Sequence, residues 1–371
     1  MNDVVRALPQ TVLRAATDRR LLDETIRQGR TTRVELADAT GYSRPTVSEA
    51  VRRLVEAGLL DATGLKETGR RGRVGTFYSL GARAGRVLAM SIDQTGVRVH
   101  SADLAGRALV TTHRPPSTPG DVDALVQSVR AAVTAAAGGE GPLRAVAVSI
   151  ANPVDPATHQ IVALAGTPFP EGLLSPAEMI GDLVAAPILV DNDVNLAALA
   201  EHRTGRAAGA TSFAYVHVGG GLGVGLYIGD QLIRGAHGLA GEIGYLPGML
   251  SPTLAGDLAA SGLGRSDAPS NDVAVVLALL DKSDDRALSA LADAVGRAII
   301  SVAAVVDPDL VLLGGPVGTH PALLPRVRER IAGTFPGPTR VGHGTLGTDA
   351  PLHGALQLAM EHARSTAINP S

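Results

Sequence analysis

The stretch from Phe213 to Tyr245, FAYVHVGGGLGVGLYIGDQLIRGAHGLAGEIGY, constrains the fold more than any other part of the chain. A strand pattern runs into five glycines within seven positions, Gly219 to Gly225, and resumes as a strand before AGEIGY. Because glycine has no Cβ, its backbone can adopt positive φ and its N–H groups can approach a ligand closely. The pattern is compatible with a loop that holds a phosphate or a sugar hydroxyl, and equally with a tight hairpin that binds nothing.

Length and composition limit the remaining classes. A chain of 371 residues is long enough for two or three domains. It contains no cysteine, which excludes disulfides and thiolate metal sites. The N-terminal segment MNDVVRALPQTVLRAATDRR lacks the apolar core of a signal peptide, and no apolar run approaches the length of a membrane span. We therefore expect a cytoplasmic protein that does not contact a membrane.

Charge is distributed unevenly along the chain. Residues 1–82 carry 14 Arg and Lys against 10 Asp and Glu, whereas the remainder carries 19 against 26. A basic first fifth on an acidic body favours contact between the first fifth and a polyanion.

The first 60 residues have the pattern of a helix-turn-helix. Helices are predicted at 12–28 and 33–40, and a turn at Gly41 separates them from a third helix. Ser43 is a good N-cap for that third helix, and Val47 and Leu54 recur on its inner face. A helix of this kind places its outer face in the major groove of DNA.

The predicted DNA contacts lie on the outer face of the third helix and at the tip of a hairpin at 61–80. Flexible arginines at such a tip can enter a minor groove or hold phosphates. The alternative is a small helical bundle that contacts other proteins. The order of turn, cap, core spacing and wing along the sequence favours the helix-turn-helix over this alternative. The predicted contacts are Arg44, Pro45, Thr46, Ser48, Glu49, Arg52 and Arg53 on the helix, and Arg70, Arg71 and Arg73 at the tip.

The rest of the chain alternates between strands and helices. Buried-strand patterns lie at 87–92, 144–150 and 187–190, and helical patterns at 122–137 and 196–209. This alternation predicts an α/β domain with a partly parallel sheet. A second series comprises helices at 272–280 and 285–306, a strand at 309–313, a helix at 321–334 and a last helix at 354–363 that packs back on the first part.

Four ordered motifs carry a family resemblance: VDNDVNLAALAE at 190–201, the glycine loop at 219–225, RGAHGLAGEIG at 234–244 and DPDLVLLGG at 307–315. Together with the winged helix they resemble the ROK family (repressor, open reading frame, kinase) over nearly the whole chain. The resemblance implies an α/β protein with two parts. Residues 1–82 would be a winged helix-turn-helix, and residues 83–371 a sugar-kinase-type domain of two actin-like (RNase H-like) lobes, at about 83–195 with the C-terminal helix and at about 196–345.

The same resemblance implies a cleft between the lobes. In kinase members a carboxylate there accepts the proton of the sugar hydroxyl, a role that would fall to Asp193. The alternative is that Asp191, Asp193 and Asn195 cap the helix that follows, since Asp and Asn are good caps. The residues implied at the cleft are Asn192, Asp193, Glu242 and Tyr245, with Gly219, Gly220 and Gly221 in the loop.

Several positions depart from the kinase pattern. The segment at 93–97, DQTGV, is about two residues shorter than the family's phosphate loop and lacks its paired glycines. Gly220 replaces a threonine, and Tyr245 replaces a histidine that binds sugar and zinc in many members. With no cysteine in the chain, a zinc site of the family type is excluded, and we expect no metal and no cofactor.

Three hypotheses follow from the resemblance and the departures. We favour a non-enzymatic ROK transcriptional regulator, a repressor, that binds double-stranded operator DNA as a homodimer or higher homo-oligomer and senses a sugar or sugar phosphate. The second hypothesis is a regulator whose pocket no longer binds a ligand. The third is an active ATP-dependent sugar kinase with an added DNA-binding domain, which would need the phosphate loop that the sequence lacks.

Overall fold

A computed structural model of the chain describes residues 10–66, 75–93, 96–115, 121–164, 169, 173–264, 271–332, 334, 337 and 339–368. These residues form a small N-terminal domain with one three-stranded sheet, followed by two lobes that each contain a five-stranded sheet. The predicted fold class, a winged helix followed by a two-lobed α/β domain, is confirmed.

Local capping signals define the N-terminal domain. Thr32 and Glu35 form a capping box at the second helix, and Gly41 ends that helix with a φ of 74°. The Ser43 hydroxyl accepts a hydrogen bond from the Thr46 amide and starts the third helix, as predicted. The elements are α1 (Gln10–Gln28), β1 (Thr31–Thr32), α2 (Arg33–Thr40), α3 (Arg44–Glu56), β2 (Leu60–Lys66) and β3 (Gly75–Leu80), with sheet order β1-β3-β2.

The first lobe is a mixed sheet covered by helices. Its strands β4, β7 and β8 are parallel, and β5 and β6 add an antiparallel edge, in the order β6-β5-β4-β7-β8. The elements are β4 (Arg86–Asp93), β5 (Gly96–Asp103), β6 (Ala108–Arg114), α4 (Val122–Ala136), β7 (Leu143–Ile150), α5 (Pro176–Ile180) and β8 (Ile188–Asn192).

The second lobe has a sheet of order β11-β10-β9-β12-β13, in which β12 is parallel to both of its neighbours. Its strands are β9 (Ser212–Val218), β10 (Leu222–Ile228), β11 (Gln231–Ile233), β12 (Leu310–Gly314) and β13 (Arg340–His343). Its helices are α6 (Asp193–Arg203), α7 (Leu254–Leu258), α8 (Val273–Asp281), α9 (Asp285–Val306), α10 (Gly315–Gly318) and α11 (Leu323–Ala332).

The C-terminal helix α12 (Ala350–Ile368) joins all three parts. It packs on strands β4 and β7 of the first lobe, as predicted, and along α6. At that crossing a Cβ on Gly354 would lie 1.9 Å from the Leu196 carbonyl oxygen, so only glycine allows the two helices to approach so closely. Near its other end, Arg364 donates to the Leu104 carbonyl and lies 3.6 Å from Asp23 of α1. One helix thus contacts the cleft region and the DNA-binding domain.

Two predictions about helices are corrected. Helix α6 spans 193–203 rather than 196–209, because Asn192 caps it: the Asn192 side-chain oxygen accepts from the amides of Val194 and Asn195. Asn192 therefore takes the capping role that the alternative interpretation gave to its neighbours.

Helix α9 is long and apolar enough to cross a membrane by length and composition, contrary to the expectation that no apolar run approaches a span. Half of its apolar window is buried, and Leu291, Val295 and Ile299 pack in the core of the second lobe. Burial of this kind is typical of a core helix in a globular domain.

Candidate functional site

The outer face of α3 is the candidate DNA interface. Arg44, Pro45, Thr46, Glu49 and Arg52 are exposed, and Ser48 is partly buried on the flank. The opposite face, with Val47, Ala50, Val51 and Leu54, is buried in the domain core as predicted. The helix therefore presents a polar, partly basic surface at its N-terminal half, which is the half that reads base edges in helix-turn-helix proteins.

Arg52 is bonded along its own helix. Its guanidinium donates to Glu49 at 2.6 Å and to Glu56 at 2.5 Å, and these two carboxylates raise the pKa of Arg52. Exposed pairs of this kind contribute little stability and exchange readily. The two acids hold the Arg52 side chain along the helix surface, where a phosphate or a guanine could replace them.

Arg53 is partly buried on the side of α3, and its guanidinium lies 3.6 Å from the carboxylate of Glu49 on the outer face. Its guanidinium donates to the Asp18 carboxylate of α1 at 2.9 and 2.6 Å, and Asp18 is buried. This ion pair joins α1 to α3. Sequence spacing alone missed it because the partner lies 35 residues away on another helix.

The wing is present as the antiparallel pair β2 and β3. The predicted contacts at its tip, Arg70, Arg71 and Arg73, lie outside the described residues. At its base, the Arg30 guanidinium lies 4.0 Å from the centroid of Phe77, and that of Arg33 lies 5.2 Å from Tyr78. These two exposed arginines were not singled out from the sequence, because only the fold brings them onto the wing.

The candidate ligand cleft lies at the carboxyl ends of the first-lobe strands, the usual ligand position in open α/β sheets. Asp93 ends β4, and Asn192 and Asp193 join β8 to α6. Asn192 is buried, and its amide nitrogen donates to the Asn152 carbonyl at 3.2 Å. With its oxygen capping α6, Asn192 has its polar atoms largely engaged by the protein.

Asp193 and Glu242 give the cleft two carboxyl groups that titrate near neutrality. Burial raises the pKa of Asp193 to about 7, with further contributions from the negative charges of Asp93 and Glu242. Burial raises the pKa of Glu242 to about 7 as well. Near pH 7 each group can therefore donate or accept a hydrogen bond, which suits recognition of hydroxyl groups.

The segment RGAHGLAGEIG brings Glu242 to the cleft through contacts with both lobes. Arg234 donates to the buried Asp191 carboxylate at 2.6 Å. A Cβ on Gly238 would lie 2.1 Å from the Val154 oxygen, and one on Gly241 would lie 1.8 Å from the Val224 oxygen. Both glycines also have positive φ, so these close approaches require glycine.

Tyr245 ends the short 3₁₀ turn Ile243–Tyr245 and is 48% exposed. Partial burial, and then the negative charge of Glu242, raise the pKa of the Tyr245 phenol. The loop after it is fixed by the buried Asp257, whose carboxylate accepts from the amides of Met249, Leu250 and Ser251 and pairs with Arg297 at 2.8 Å.

The glycine loop is a three-residue hairpin between the paired residues Val218 and Leu222. None of Gly219, Gly220, Gly221, Gly223 and Gly225 has positive φ, so this stretch does not use that freedom of the glycine backbone. Gly223 and Gly225 instead allow close packing on α6: a Cβ at Gly225 would lie 2.7 Å from the Val194 oxygen. The side chain of Asn271, which donates to the Gly219 carbonyl at 2.9 Å, fixes the loop itself.

His217 lies at the end of β9 against Gly219 and Gly315. Burial lowers the pKa of His217 to about 4, so the imidazole is neutral at pH 7. His237 is exposed. Among the residues that the structure describes, no three His, Asp or Glu side chains are grouped to hold a metal ion.

The β4–β5 ladder extends to the segment at 93–97. Asp93 pairs with Gly96, and residues 94 and 95 lie outside the described ranges. The Asp93 carboxylate pairs with Arg98 at 2.9 Å, and Arg98 also binds Asp349 at 2.6 Å. A phosphate cradle needs several consecutive free backbone amides, whereas Asp93 and Gly96 already belong to the β4–β5 ladder.

Comparisons with known proteins agree with this architecture. The family model described as "ROK family" matches residues 87–253, and one described as "Winged helix-turn-helix DNA-binding" matches residues 14–61. The bifunctional enzyme NanE/NanK of Brucella melitensis is 27% identical over 73% of this chain and 53% of its own length, so the chain spans about half of that relative. The xylose repressor of Bacillus spizizenii is 22% identical over 64% of this chain and 62% of its own length.

Among solved structures, a ROK family transcriptional regulator, a homologue of the Escherichia coli MLC protein, superposes with a TM-score of 0.72 at 17% identity. The superposition covers 96% of this chain and 98% of that one, so both parts of the fold are shared. The chain therefore contains a ROK family domain, matched over residues 87–253, behind a winged helix-turn-helix DNA-binding domain, matched over residues 14–61.

Proposed function

We propose that this ROK-family helix-turn-helix regulator is a repressor that does not transfer phosphate and that senses a sugar or sugar phosphate in its interlobe cleft. The observation that carries the proposal is the combination of a complete DNA-binding domain with the Asp93–Gly96 pairing. That pairing leaves two residues where a kinase needs a phosphate-binding loop. The relatives include an enzyme as well as a repressor, and this feature of the chain itself supports the repressor.

The cleft supports a sensing role. Asp193 and Glu242 are the acids on the sugar side of the cleft. Burial raises the pKa of each carboxyl group to about 7, so near that pH both can bind hydroxyl groups. The contacts of α12 supply a route from the cleft to DNA: this helix packs along α6, whose first residue is Asp193, and its Arg364 lies beside Asp23 of α1. A ligand that shifts α6 would act on the DNA-binding domain through α12.

We also propose that the protein acts as a homodimer or a higher homo-oligomer of that dimer. Two-fold dimers are the commonest oligomers. Two recognition helices related by such an axis would bind a roughly palindromic operator, with half-sites one or two helical turns apart.

Arg52→Ala is expected to weaken binding to the specific DNA site about tenfold, because the guanidinium is the basic group at the centre of the exposed face of α3. The site is obtained by selecting duplexes from a random library with the unaltered chain, and affinity is measured by fluorescence anisotropy. Arg203→Ala is the matched control, since Arg203 is also an exposed arginine paired with a carboxylate, Glu361, but lies on α6. Equal affinity in both variants would contradict the role of this face.

Ligand binding in the cleft is expected to raise the melting temperature in a screen of sugars and sugar phosphates. A ligand present at a hundredfold excess over its Kd stabilises the folded state by about 2.7 kcal/mol. Glu242→Gln is expected to lose this shift. If no compound stabilises the unaltered chain, the pocket has lost ligand binding and control lies elsewhere. Sugar-dependent ATP consumption that disappears in Asp193→Asn would establish a kinase instead.

A further inference from the structure

A second cavity lies in the second lobe, away from the cleft. It has a volume of about 600 Å³ and is bounded by the first residues of β12 and β13, Leu310 and Arg340, and by the end of α11. The candidate cleft lies at the carboxyl ends of the first-lobe strands, whereas this cavity lies at the amino ends of β12 and β13 in the second lobe. Ligand sites in proteins occupy about 300–1,000 Å³, which includes a volume of this size.

Three arginines line this cavity: Arg206, Arg328 and Arg340. Within the described part of the chain, no carboxylate lies at ion-pair distance from any of their guanidinium groups. Their neighbours on α11 differ, since Arg326 pairs with Asp285 at 2.5 Å and Arg330 pairs with Asp293 at 2.8 Å. Three uncompensated positive charges around one concave surface attract anions.

Two of the three guanidinium groups are held in place by the backbone. Arg328 donates from two of its nitrogens to the Val341 carbonyl, at 3.1 and 2.6 Å. Arg206 donates to the His343 carbonyl at 3.4 Å. Both carbonyls belong to β13, which is at the edge of the sheet. A guanidinium has five N–H donors, so each side chain is positioned by its bonds to the strand and still keeps donors for a ligand.

One further polar group belongs to the lining. The Thr339 hydroxyl oxygen is buried and has no hydrogen-bond partner among the described residues. A buried hydroxyl without a partner is uncommon and is satisfied when a ligand supplies one.

We propose that this cavity binds a small molecule through an oxyanion group, a phosphate or a carboxylate, held by Arg206, Arg328 and Arg340. Guanidinium groups bind both kinds of oxyanion in a bidentate manner. The site would be distinct from the interlobe cleft and would act on the second lobe, whether or not the cleft binds a sugar.

Calorimetric titration of the full chain with pyrophosphate and with citrate, at constant ionic strength, tests this proposal and separates the two oxyanions. We expect saturable binding of at least one of them, and affinity at least tenfold weaker in Arg340→Gln. Arg340 is the variant of choice because no backbone bond of its side chain supports the edge strand, so its melting temperature should stay within about 2 °C of the unaltered chain. Arg326→Gln, on the paired face of α11, is the control and should bind as the unaltered chain does.

Two results would overturn the proposal. One is the absence of saturable binding by both probes, and the other is equal affinity in Arg340→Gln and the unaltered chain. A lower affinity of Arg340→Gln for sheared genomic DNA, with no saturable binding of either probe, would assign the surface to DNA instead. Because none of these measurements uses the operator or a sugar, the outcome is independent of the function proposed above.

Discussion

Asp193→Asn is expected to make the protein more stable at pH 8 while abolishing ligand binding in the cleft. Burial and the negative charges of Asp93 and Glu242 raise the pKa of Asp193 from 3.8 to about 7. The folded state therefore holds a proton that the unfolded state releases. The contribution of Asp193 to the stability of the folded state therefore falls as the pH rises from about 4 to about 7, and it is lowest above that range. Asparagine removes this penalty and keeps the oxygen that accepts from the Val194 amide at 2.8 Å.

The expected gain at pH 8 is roughly 2–4 kcal/mol, since one pKa unit corresponds to about 1.4 kcal/mol. The gain should vanish below about pH 3, where Asp193 is protonated in both states. Thermal denaturation of the variant and the unaltered chain across this range measures the difference. Asp123→Asn, at an exposed carboxylate in the first turn of α4, is the control and should change stability little at either pH. Lower stability of Asp193→Asn at pH 8 would contradict the assigned burial.

A gain of this kind would have a functional meaning. Carboxyl groups with strongly raised pKa values are typical of ligand-binding and catalytic sites, where proteins accept a loss of folding stability for function. Asp193 and Glu242 are partly buried, and both carboxyl groups have raised pKa values. The pH dependence of Asp193→Asn tests this environment, and the ligand screen tests whether the cleft binds a ligand.

The parts of the fold that the sequence predicts well depend on local signals. Ser43 and Gly41 define the helix-turn-helix because a cap and a left-handed glycine act within one turn of chain. The strand patterns at 87–92 and 144–150 are likewise local, since a buried parallel strand is apolar along its whole length. In each case the physical cause lies within a few residues of the pattern.

The residue roles that the sequence does not predict depend on contacts between segments that are distant along the chain. Gly223 and Gly225 look like ligand-loop residues, yet their lack of a side chain serves the packing of β10 on α6. The sequence pattern favours Arg53 as a DNA contact, yet in the fold its guanidinium pairs with the Asp18 carboxylate of α1. The arginine cavity joins residues 206, 328 and 340, and no spacing in the sequence indicates that they meet. Such roles follow from the tertiary fold alone.

Glu201→Leu is expected to destabilise the protein by about 3–5 kcal/mol, the largest effect of any single substitution considered. Glu201 is fully buried, and its carboxylate accepts from the backbone amides of Arg206, Thr345 and Leu346 at 2.7, 2.6 and 2.9 Å. Leucine would leave three amides without their acceptor, and each unsatisfied buried group costs about 1–3 kcal/mol. Glu201→Gln keeps one acceptor oxygen, so we expect a smaller loss.

Urea denaturation measures both variants, and Glu361→Gln, at an exposed partner of Arg203, is the control that should cost little. A loss below about 1 kcal/mol for Glu201→Leu would show that water replaces the carboxylate.

Glu201 ends the motif VDNDVNLAALAE, which begins at the candidate ligand cleft. Its bonds fix the turn before α12, the helix that reaches the DNA-binding domain. The motif therefore combines residues at the candidate cleft, Asn192 and Asp193, with a structural acid at its end, and the bonds of that acid connect α6 to the turn before α12.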